Sequence, residues 1–181
     1  MDSPIIRPRE LISTERIQAR VAQLAEAIAR DHAGVSPNGV LLVGVLKGAF
    51  IFLADLARAL PIPNAVDFLA LSSYGTRGSK RGGVRVVMDL RESVRDRQVI
   101  VVEDIVDTGH TLAYVRNMLT LREPASLRTC ALVVKPSRHE VDIPLDYVGF
   151  EIGDEWAVGY GLDYKDRYRT LPYIGVVPGD S

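Results

Sequence analysis

The 181-residue sequence has a single cysteine, Cys130, and almost no net charge. One cysteine cannot form an internal disulfide, and it excludes a metal cluster held by cysteines alone. It lies in an apolar run, where a buried and unreactive thiol is expected. A formal net charge of −1 gives no electrostatic attraction to nucleic acid or to an anionic membrane. We therefore expect neither a disulfide scaffold nor a nucleic-acid partner.

Long hydrophobic runs are also missing from the sequence. No stretch approaches the length of a membrane-spanning helix, and the first residues lack the apolar core of a signal peptide. We therefore expect a cytoplasmic protein with no membrane partner. A zinc motif, a Walker phosphate loop, the nucleophile elbow of hydrolases and the dinucleotide-binding glycine motif are absent as well.

The order of the predicted elements is typical of an α/β protein. A hydrophobic content of 47% suffices for one sizeable core but is low for two, so we expect one domain over residues 1–181. Ser13 resembles an N-cap, and Ile17 begins an apolar face of helical spacing. A second helix is predicted over 49–60. Predicted strands cover 40–45, 65–73, 84–88, 127–134 and 147–151.

The most informative segment runs from Val99 to Thr111, with the sequence Val-Ile-Val-Val-Glu-Asp-Ile-Val-Asp-Thr-Gly-His-Thr. Its β-branched run predicts a strand buried on both faces, as in a parallel sheet. The loop that ends it is followed by residues of roughly helical spacing, Leu112, Val115, Leu119 and Leu121. Ligands of open α/β sheets bind where strands end and helices begin. We therefore expect a ligand site at this loop.

The residue types in the loop suit a phosphorylated sugar and its metal ion. Two threonines and a glycine supply hydroxyls and free backbone N–H groups, and the following helix adds the positive end of its dipole. Glu103 and Asp104 are hard oxygen donors that suit ribose hydroxyls or Mg²⁺. The alternative is that both acids are solvated and that Asp107 only caps the helix. Convergence of three acids, a glycine and two threonines within nine residues favours the ligand site.

Residues 102–111 closely resemble the phosphoribosyl-diphosphate signature of type I phosphoribosyltransferases. More narrowly, other stretches resemble the hypoxanthine and hypoxanthine-guanine members of this family, in their order and at compatible spacing. These stretches are Gly44–Ala49, Leu71–Gly75, Val133–Lys135, Tyr147–Ile152 and Val158–Tyr164. The resemblance extends from about residue 11 to residue 177, and the combination is far more specific than the phosphate loop alone.

The resemblance implies a fold in which a central, mostly parallel sheet is flanked by helices, with a small hood region and a mobile lid loop. It implies Mg²⁺-dependent transfer of the 5-phosphoribosyl group from phosphoribosyl diphosphate to N9 of a 6-oxopurine, as in purine salvage. Hypoxanthine is the expected substrate and guanine a second one. Relatives are commonly oligomers, so a homodimer or homotetramer is expected.

The resemblance also assigns roles to the central loop. The ribose and its 5′-phosphate would contact Glu103, Asp104, Asp107, Thr108, Gly109, His110 and Thr111. Asp107 is the expected catalytic residue, a general base or proton acceptor at purine N7. Such acid–base catalysis raises the rate roughly 10²–10⁴-fold. Mg²⁺ would be held by Glu103 and Asp104, and Asp163 would help to hold a second Mg²⁺ on the diphosphate.

Two further elements of the family's site have counterparts in the sequence. Lys47 and Gly48 match the diphosphate-binding loop, which contains a cis peptide bond, although Ala49 stands where many relatives have a second glycine. Arg169 matches a basic residue that meets the leaving diphosphate. Without the resemblance, Lys47 reads as a solvated lysine and Arg169 as a surface ion-pair partner.

Ser73 and Tyr74 stand at the start of a segment rich in Gly, Ser, Lys and Arg, residues 74–83, which predicts a long mobile loop between strands. By resemblance this segment is the catalytic lid. A closed lid would keep water from an oxocarbenium-like ribosyl cation. Composition alone supports an ordinary solvent-exposed hairpin tip equally well.

The resemblance places the purine pocket toward the C-terminus. Lys135 would donate to the 6-oxo oxygen, an acceptor that adenine lacks. Trp156 would stack on the ring, and backbone near Ala157 and Asp163 would read the remaining edge. Trp156 could equally be a core aromatic. Ala157 is smaller than the residue often found there, which leaves the preference at the purine 2-position open.

Two other functions remain as alternatives. One is a xanthine-preferring phosphoribosyltransferase, which comparison of the three oxopurines would distinguish. The other is a regulator that keeps this fold as a nucleotide sensor and binds RNA or DNA. Such a regulator would need a basic face or an added DNA-binding domain, and the sequence shows neither.

Overall fold

The computed structural model describes residues 7–34, 38–74 and 83–178. The strands are β1 (Arg9–Ile12), β2 (Val40–Leu46), β3 (Asn64–Tyr74), β4 (Gly83–Met88), β5 (Gln98–Val106), β6 (Ser126–Val134), β7 (Tyr147–Glu151), β8 (Trp156–Val158) and β9 (Ile174–Val177). The helices are α1 (Thr14–Asp31), α2 (Phe50–Ala59) and α3 (His110–Thr120), and a 3₁₀ turn spans Pro136–Arg138.

Six strands form the main sheet, in the order β4-β3-β2-β5-β6-β7. All neighbours pair in parallel except β4, which lies antiparallel to β3 at one edge. A second, antiparallel sheet has the order β1-β9-β8. The α/β class with a mostly parallel sheet is confirmed, and the small sheet corresponds to the expected hood.

The central strands are buried on both faces, which explains their uninterrupted apolar sequences. Along β2, Val40 and Leu42 join one hydrophobic cluster, while Leu41 and Val43 join a second on the opposite face. Helices α1 and α2 contribute to the first cluster and α3 to the second. The sheet therefore lies between two helical layers.

Helix α1 begins as the sequence predicts. The Ser13 hydroxyl accepts a hydrogen bond from the backbone N–H of Arg16, the cap that a serine provides at this position. The face that begins with Ile17 is buried against the sheet, as expected. Among the described residues, no helix is long and apolar enough to cross a membrane.

Some local predictions differ from the structure. Leu121 follows the end of α3 and is 84% exposed, so its helical spacing after Leu119 does not make it a core residue. Helix α2 is one residue shorter at each end than predicted. Strands β1, β8 and β9 were not predicted, because segments of three or four residues carry too little alternation to reveal a strand.

Cys130 is fully buried in β6, as expected, and burial raises the pKa of its thiol.

The order of the strands places a crevice between β2 and β5. From β2 the chain crosses through α2 to β3 on one side, and from β5 it crosses through α3 to β6 on the other. The loops at the carboxyl ends of β2 and β5 therefore diverge from a common point. Such a switch point is where open α/β sheets bind ligands.

Candidate active site

The loop after β5 forms an open helix N-terminus. Gly109 precedes α3 with φ of 88°, a left-handed conformation that glycine adopts without a steric penalty. No side chain caps the helix there, so Asp107 is not the cap that the alternative interpretation required. Backbone N–H groups in the first turn and the helix dipole can therefore serve an anion.

Glu103 is buried and Asp104 is half-buried. Glu103 is 6% exposed, and its Oε1 has no hydrogen-bond partner among the described residues. Burial, with the neighbouring charge of Asp104 as a smaller contribution, raises the pKa of Glu103. Burial also raises the pKa of Asp104 to about 6, although Arg169 and backbone N–H groups act against the rise. The alternative of two solvated strand-end charges is wrong for Glu103.

The acid pair has the donor chemistry for a hard cation. An unpartnered, buried carboxylate oxygen beside a second carboxylate suits Mg²⁺, which the family generally uses. Within residues 7–34, 38–74 and 83–178, no three Asp, Glu, His or Cys side chains converge closely enough to hold a metal ion. Mg²⁺ is commonly bound by one or two carboxylates together with substrate phosphates and water.

The loop after β2 packs tightly against this acid pair. The peptide bond between Leu46 and Lys47 is cis, as the resemblance predicted. A Cβ atom on Gly48 would lie 1.6 Å from Oδ2 of Asp104, and a Cβ atom on Gly161 would lie 2.0 Å from the carbonyl oxygen of Gly48. The absence of side chains at both glycines therefore allows three chain segments to meet beside Asp104.

A cluster of alternating charges lies next to these glycines. Arg169 donates to the carbonyl oxygen of Gly161 at 2.8 Å and pairs with Asp163 at 2.7 Å and Asp166 at 3.1 Å. Lys47, whose side chain is largely exposed, pairs with Asp166 at 3.4 Å. The predicted diphosphate residues, Lys47 and Arg169, therefore both pair with Asp166. The positive charge of Arg169 also lowers the pKa of Asp104, against the effect of burial.

The predicted purine residues line a cavity of about 170 Å³, together with parts of β5. Lys135 is 6% exposed, whereas Trp156 is 50% exposed, so the interpretation of Trp156 as a core aromatic is wrong. The indole of Trp156 meets the ring of Tyr164 edge-on at 5.5 Å between centroids, and its Nε1 donates to the carbonyl oxygen of Asp163 at 3.4 Å. These contacts orient the indole, and its exposed half lines the cavity, where a flat ring could stack.

A larger cavity, of about 360 Å³, adjoins the purine-side cavity. It is lined by the loop residues Asp107, Thr108, Gly109 and Thr111, by Gly48 and by both acids of the pair. Asp104, Ile105 and Asp107 line both cavities. Asp107 therefore lies where a ligand in the larger cavity would meet one in the smaller cavity.

Some predicted residues lie outside these cavities. His110 lines neither of them, and its Nε2 lies 2.8 Å from Oε2 of Glu140. Ser73 and Tyr74 pair through their backbones with Val84 and Gly83 at the end of the β3–β4 hairpin. The rest of the predicted lid, residues 75–82, lies outside the described residues.

Sequence reasoning missed Arg138. Its Nε donates to Oδ1 of Asp107 at 2.6 Å, and its Nη1 donates to Oδ1 of Asp154 at 3.0 Å. Arg138 is 31 residues away from Asp107 and lies in a short 3₁₀ turn with no periodic pattern. The presence of a basic residue soon after Lys135 was the available signal, but it does not reveal the partner.

Comparison with known proteins agrees with this geometry. A family model described as the phosphoribosyl transferase domain matches residues 10–165. The chain belongs to the type I phosphoribosyltransferase family. This type I phosphoribosyltransferase is 48% identical to the hypoxanthine phosphoribosyltransferase of Salmonella typhimurium over 167 residues, which cover 92% of this chain and 93% of that protein.

Two other relatives support the same placement within the family. The hypoxanthine-guanine phosphoribosyltransferase of Mycobacterium bovis is 46% identical over 92% of this chain and 84% of its own length. A crystal structure of the hypoxanthine-guanine phosphoribosyltransferase of Bacillus anthracis superposes with a TM-score of 0.89 at 40% identity, covering 95% of this chain and 100% of that one. This phosphoribosyltransferase therefore groups with the hypoxanthine and hypoxanthine-guanine members of its family.

Proposed function

We propose that the protein acts in purine salvage and transfers the 5-phosphoribosyl group from phosphoribosyl diphosphate to N9 of hypoxanthine, and also of guanine, with release of diphosphate. The observation that carries the proposal is the pair of adjoining cavities that share Asp104 and Asp107. One offers an open helix N-terminus, and the other offers a buried lysine and an oriented indole.

The larger cavity suits the phosphoribosyl group. The 5′-phosphate binds at residues 107–111, where backbone N–H groups and threonine hydroxyls surround an anion. Glu103 and Asp104 line this cavity, where their carboxylates would meet the ribose hydroxyls and Mg²⁺. Lys47, Gly48 and Arg169 bind the diphosphate, whose negative charge replaces the ion pairs that Lys47 and Arg169 make with Asp166.

The smaller cavity suits a 6-oxopurine. The ammonium group of Lys135 donates to the 6-oxo oxygen, while the 6-amino group of adenine offers it no acceptor. Trp156 stacks on the ring, and the backbone at Ala157 and Asp163 faces the remaining edge. These contacts favour hypoxanthine and guanine over adenine.

Asp107 accepts the proton that leaves the purine at N7 as the bond to N9 forms. Its position between the two cavities brings its carboxylate to the base once the phosphoribosyl group is bound. Glu103 and Asp104 would hold Mg²⁺ with the substrate's oxygens, and Asp163 would help to hold a second Mg²⁺ on the diphosphate. Bound Mg²⁺ supplies positive charge that stabilises the leaving diphosphate. Ser73 and Tyr74 carry the lid that keeps water from the ribosyl cation.

The test is the initial rate of nucleotide formation from phosphoribosyl diphosphate and each of hypoxanthine, guanine, xanthine and adenine, with and without a chelator of Mg²⁺. We expect chelator-sensitive turnover of hypoxanthine and guanine and none of adenine. Faster turnover of xanthine would indicate the xanthine-preferring enzyme. No turnover of any base, despite nucleotide binding, would indicate a regulator and contradict the proposal.

A homodimer or homotetramer in the cytoplasm is part of this proposal. The mass of the purified protein from light scattering and its distribution on cell fractionation are the corresponding measurements.

A further inference from the structure

One segment, residues 136–143, packs over the phosphate loop after the chain leaves β6; we call it the strap. Its start is set by Lys135, whose N–H donates to the carbonyl oxygen of Val106 at 3.0 Å. The 3₁₀ turn Pro136–Arg138 then directs the chain across the loop. The strap thus begins at the residue proposed to read the purine and continues over the residues proposed to bind phosphate.

Three consecutive parts of the strap contact three consecutive loop residues. Arg138 pairs with Asp107, and the N–H of Glu140 donates to the carbonyl oxygen of Thr108 at 3.0 Å. Beyond these, a Cβ atom on Gly109 would lie 2.9 Å from a methyl group of Val141. The carboxylate of Glu140 also meets the imidazole of His110. The conformation of the loop is therefore held from outside as well as by its own sequence.

Arg138 also reaches a third element. While Nε contacts Oδ1 of Asp107, Nη1 contacts Asp154 in the connection between β7 and β8, two residues before Trp156. A planar guanidinium that bridges two carboxylates restricts both, since its donors have fixed directions. Of the two oxygens of Asp107, it engages Oδ1. Within the part of the chain that the structure describes, Oδ2 is not engaged by Arg138, so we assign Oδ2 to the substrate.

We propose that Arg138 is a positioning residue for the reaction: it orients the carboxylate of Asp107 toward the purine and couples that carboxylate to the segment that carries Trp156. The inference rests on the proposed function. The side chains of Arg138 and Asp107 are 43% and 42% exposed, so the pair contributes little to folding stability. Its loss should therefore alter turnover while the fold is kept.

The test compares Arg138→Ala and Arg138→Lys with a matched control, Arg122→Ala. Arg122 forms an exposed bidentate pair with Asp89, with both distances 2.8 Å, on a part of the surface that lines neither cavity. We expect Arg138→Ala to lower kcat with hypoxanthine roughly 10–100-fold, the usual effect of a misplaced catalytic group. The KM for phosphoribosyl diphosphate and the Tm should stay close to those of Arg122→Ala.

A double-mutant cycle shows whether Arg138 acts through Asp107. In an Asp107→Asn background, Arg138→Ala should have much less effect on kcat, because there is no carboxylate left to orient. Arg138→Lys keeps the positive charge but lacks the planar guanidinium that reaches both carboxylates, so we expect its kcat to lie between those of the wild type and Arg138→Ala. Added guanidinium ion should restore part of the turnover of Arg138→Ala.

The inference is overturned if wild-type protein turns over hypoxanthine but Arg138→Ala has the kcat of Arg122→Ala. It is also overturned if Arg138→Ala lowers kcat by the same factor in both backgrounds, or if only the KM for phosphoribosyl diphosphate changes. Absence of turnover by the wild type would instead contradict the proposed function, so the two failures are distinguishable.

Discussion

At the scale of single residues, the acid pair of β5 shows a conflict between folding and function. Two adjacent carboxylates that are shielded from water disfavour their own charged forms, which is why the pKa values of Glu103 and Asp104 are raised. An unpartnered oxygen on Glu103 adds to this cost. Such a group is expected where a ligand or metal ion supplies the missing partner, so the stability of the ligand-free protein is lowered at this site.

This conflict predicts a pH dependence for the metal-free protein. The pKa of Asp104 is about 6 in the folded state and near 3.8 when unfolded. Protonation therefore favours the folded state; the stabilisation is complete below the ordinary pKa and is lost as the pH rises through about 6. Asp104→Asn, which carries no charge, should be more stable than the wild type above pH 7, by on the order of 2–3 kcal/mol.

The measurement is the free energy of unfolding in urea, with chelator, from pH 4 to pH 8. The advantage of Asp104→Asn should shrink as the pH falls toward 4. A constant difference between the two proteins across this range would mean that the charge of Asp104 is not the cause.

Lys135 is predicted to decide which purines are accepted. Replacement by methionine keeps most of the side-chain volume but removes the donor, so Lys135→Met should lower kcat/KM for hypoxanthine by roughly 10–100-fold, the value of a hydrogen bond to a charged group. Adenine should gain relative to hypoxanthine. Steady-state rates with both bases check this, and an unchanged ratio would exclude Lys135 from recognition of the 6-position.

At the scale of elements, the site depends on how closely the segments after β2 and β5 approach. Gly48 lies against Asp104, and Gly161 lies against Gly48. Neither contact involves a long side chain, and each would be blocked by a single methyl group. The arrangement brings a backbone loop, a carboxylate and the Arg169 cluster into reach of one ligand.

Gly48→Ala should therefore displace the carboxylate of Asp104, because the added methyl group would occupy its place. We expect kcat/KM for phosphoribosyl diphosphate to fall by about 10-fold or more. Gly34→Ala is the control: Gly34 has φ of 71°, and apart from Gly34 itself and its chain neighbours no atom of the described residues lies within 4 Å of the added one. It should cost about 1–2 kcal/mol of stability through backbone strain, without loss of kcat/KM. Equal kinetics for the two variants would show that the loop tolerates a side chain.

At the scale of the whole molecule, one sheet serves two cores. Residues of β2, β5 and β6 alternate between the cluster under α1 and α2 and the cluster under α3. Because the two hydrophobic clusters share these strands, unfolding of the strands would expose the apolar side chains of both clusters to water. This supports the single domain expected for residues 1–181.

We therefore predict one cooperative unfolding transition. Far-ultraviolet circular dichroism, which follows the helices, and the fluorescence of Trp156, which lies at the site, should give the same midpoint in urea with chelator present. Two separated midpoints would mean that the sheet and the site unfold independently, and would contradict the single-domain prediction.

Local sequence determined much of this protein. The apolar runs of β2 and β5 predicted buried parallel strands, Ser13 predicted the start of α1, and residues 103–111 predicted the ligand loop, because each prediction depends on neighbours within a few positions. The three short strands of the small sheet were not predicted, since each is short and pairs with a partner distant in sequence, which leaves little local signal. The resemblance supplied the purine residues, which local patterns would not have singled out.

Tertiary structure alone decided which groups meet. Glu103 is buried and Trp156 half exposed, and neither outcome is visible in the local sequence, because burial depends on what packs against a residue. Contact between Arg138 and Asp107 spans 31 residues, and contact between Lys47 and Asp166 spans 119. Folding brings such pairs together through the sheet order, so no local pattern could reveal them. The sequence by itself therefore determined the chemistry available at the site, and the fold decided its geometry.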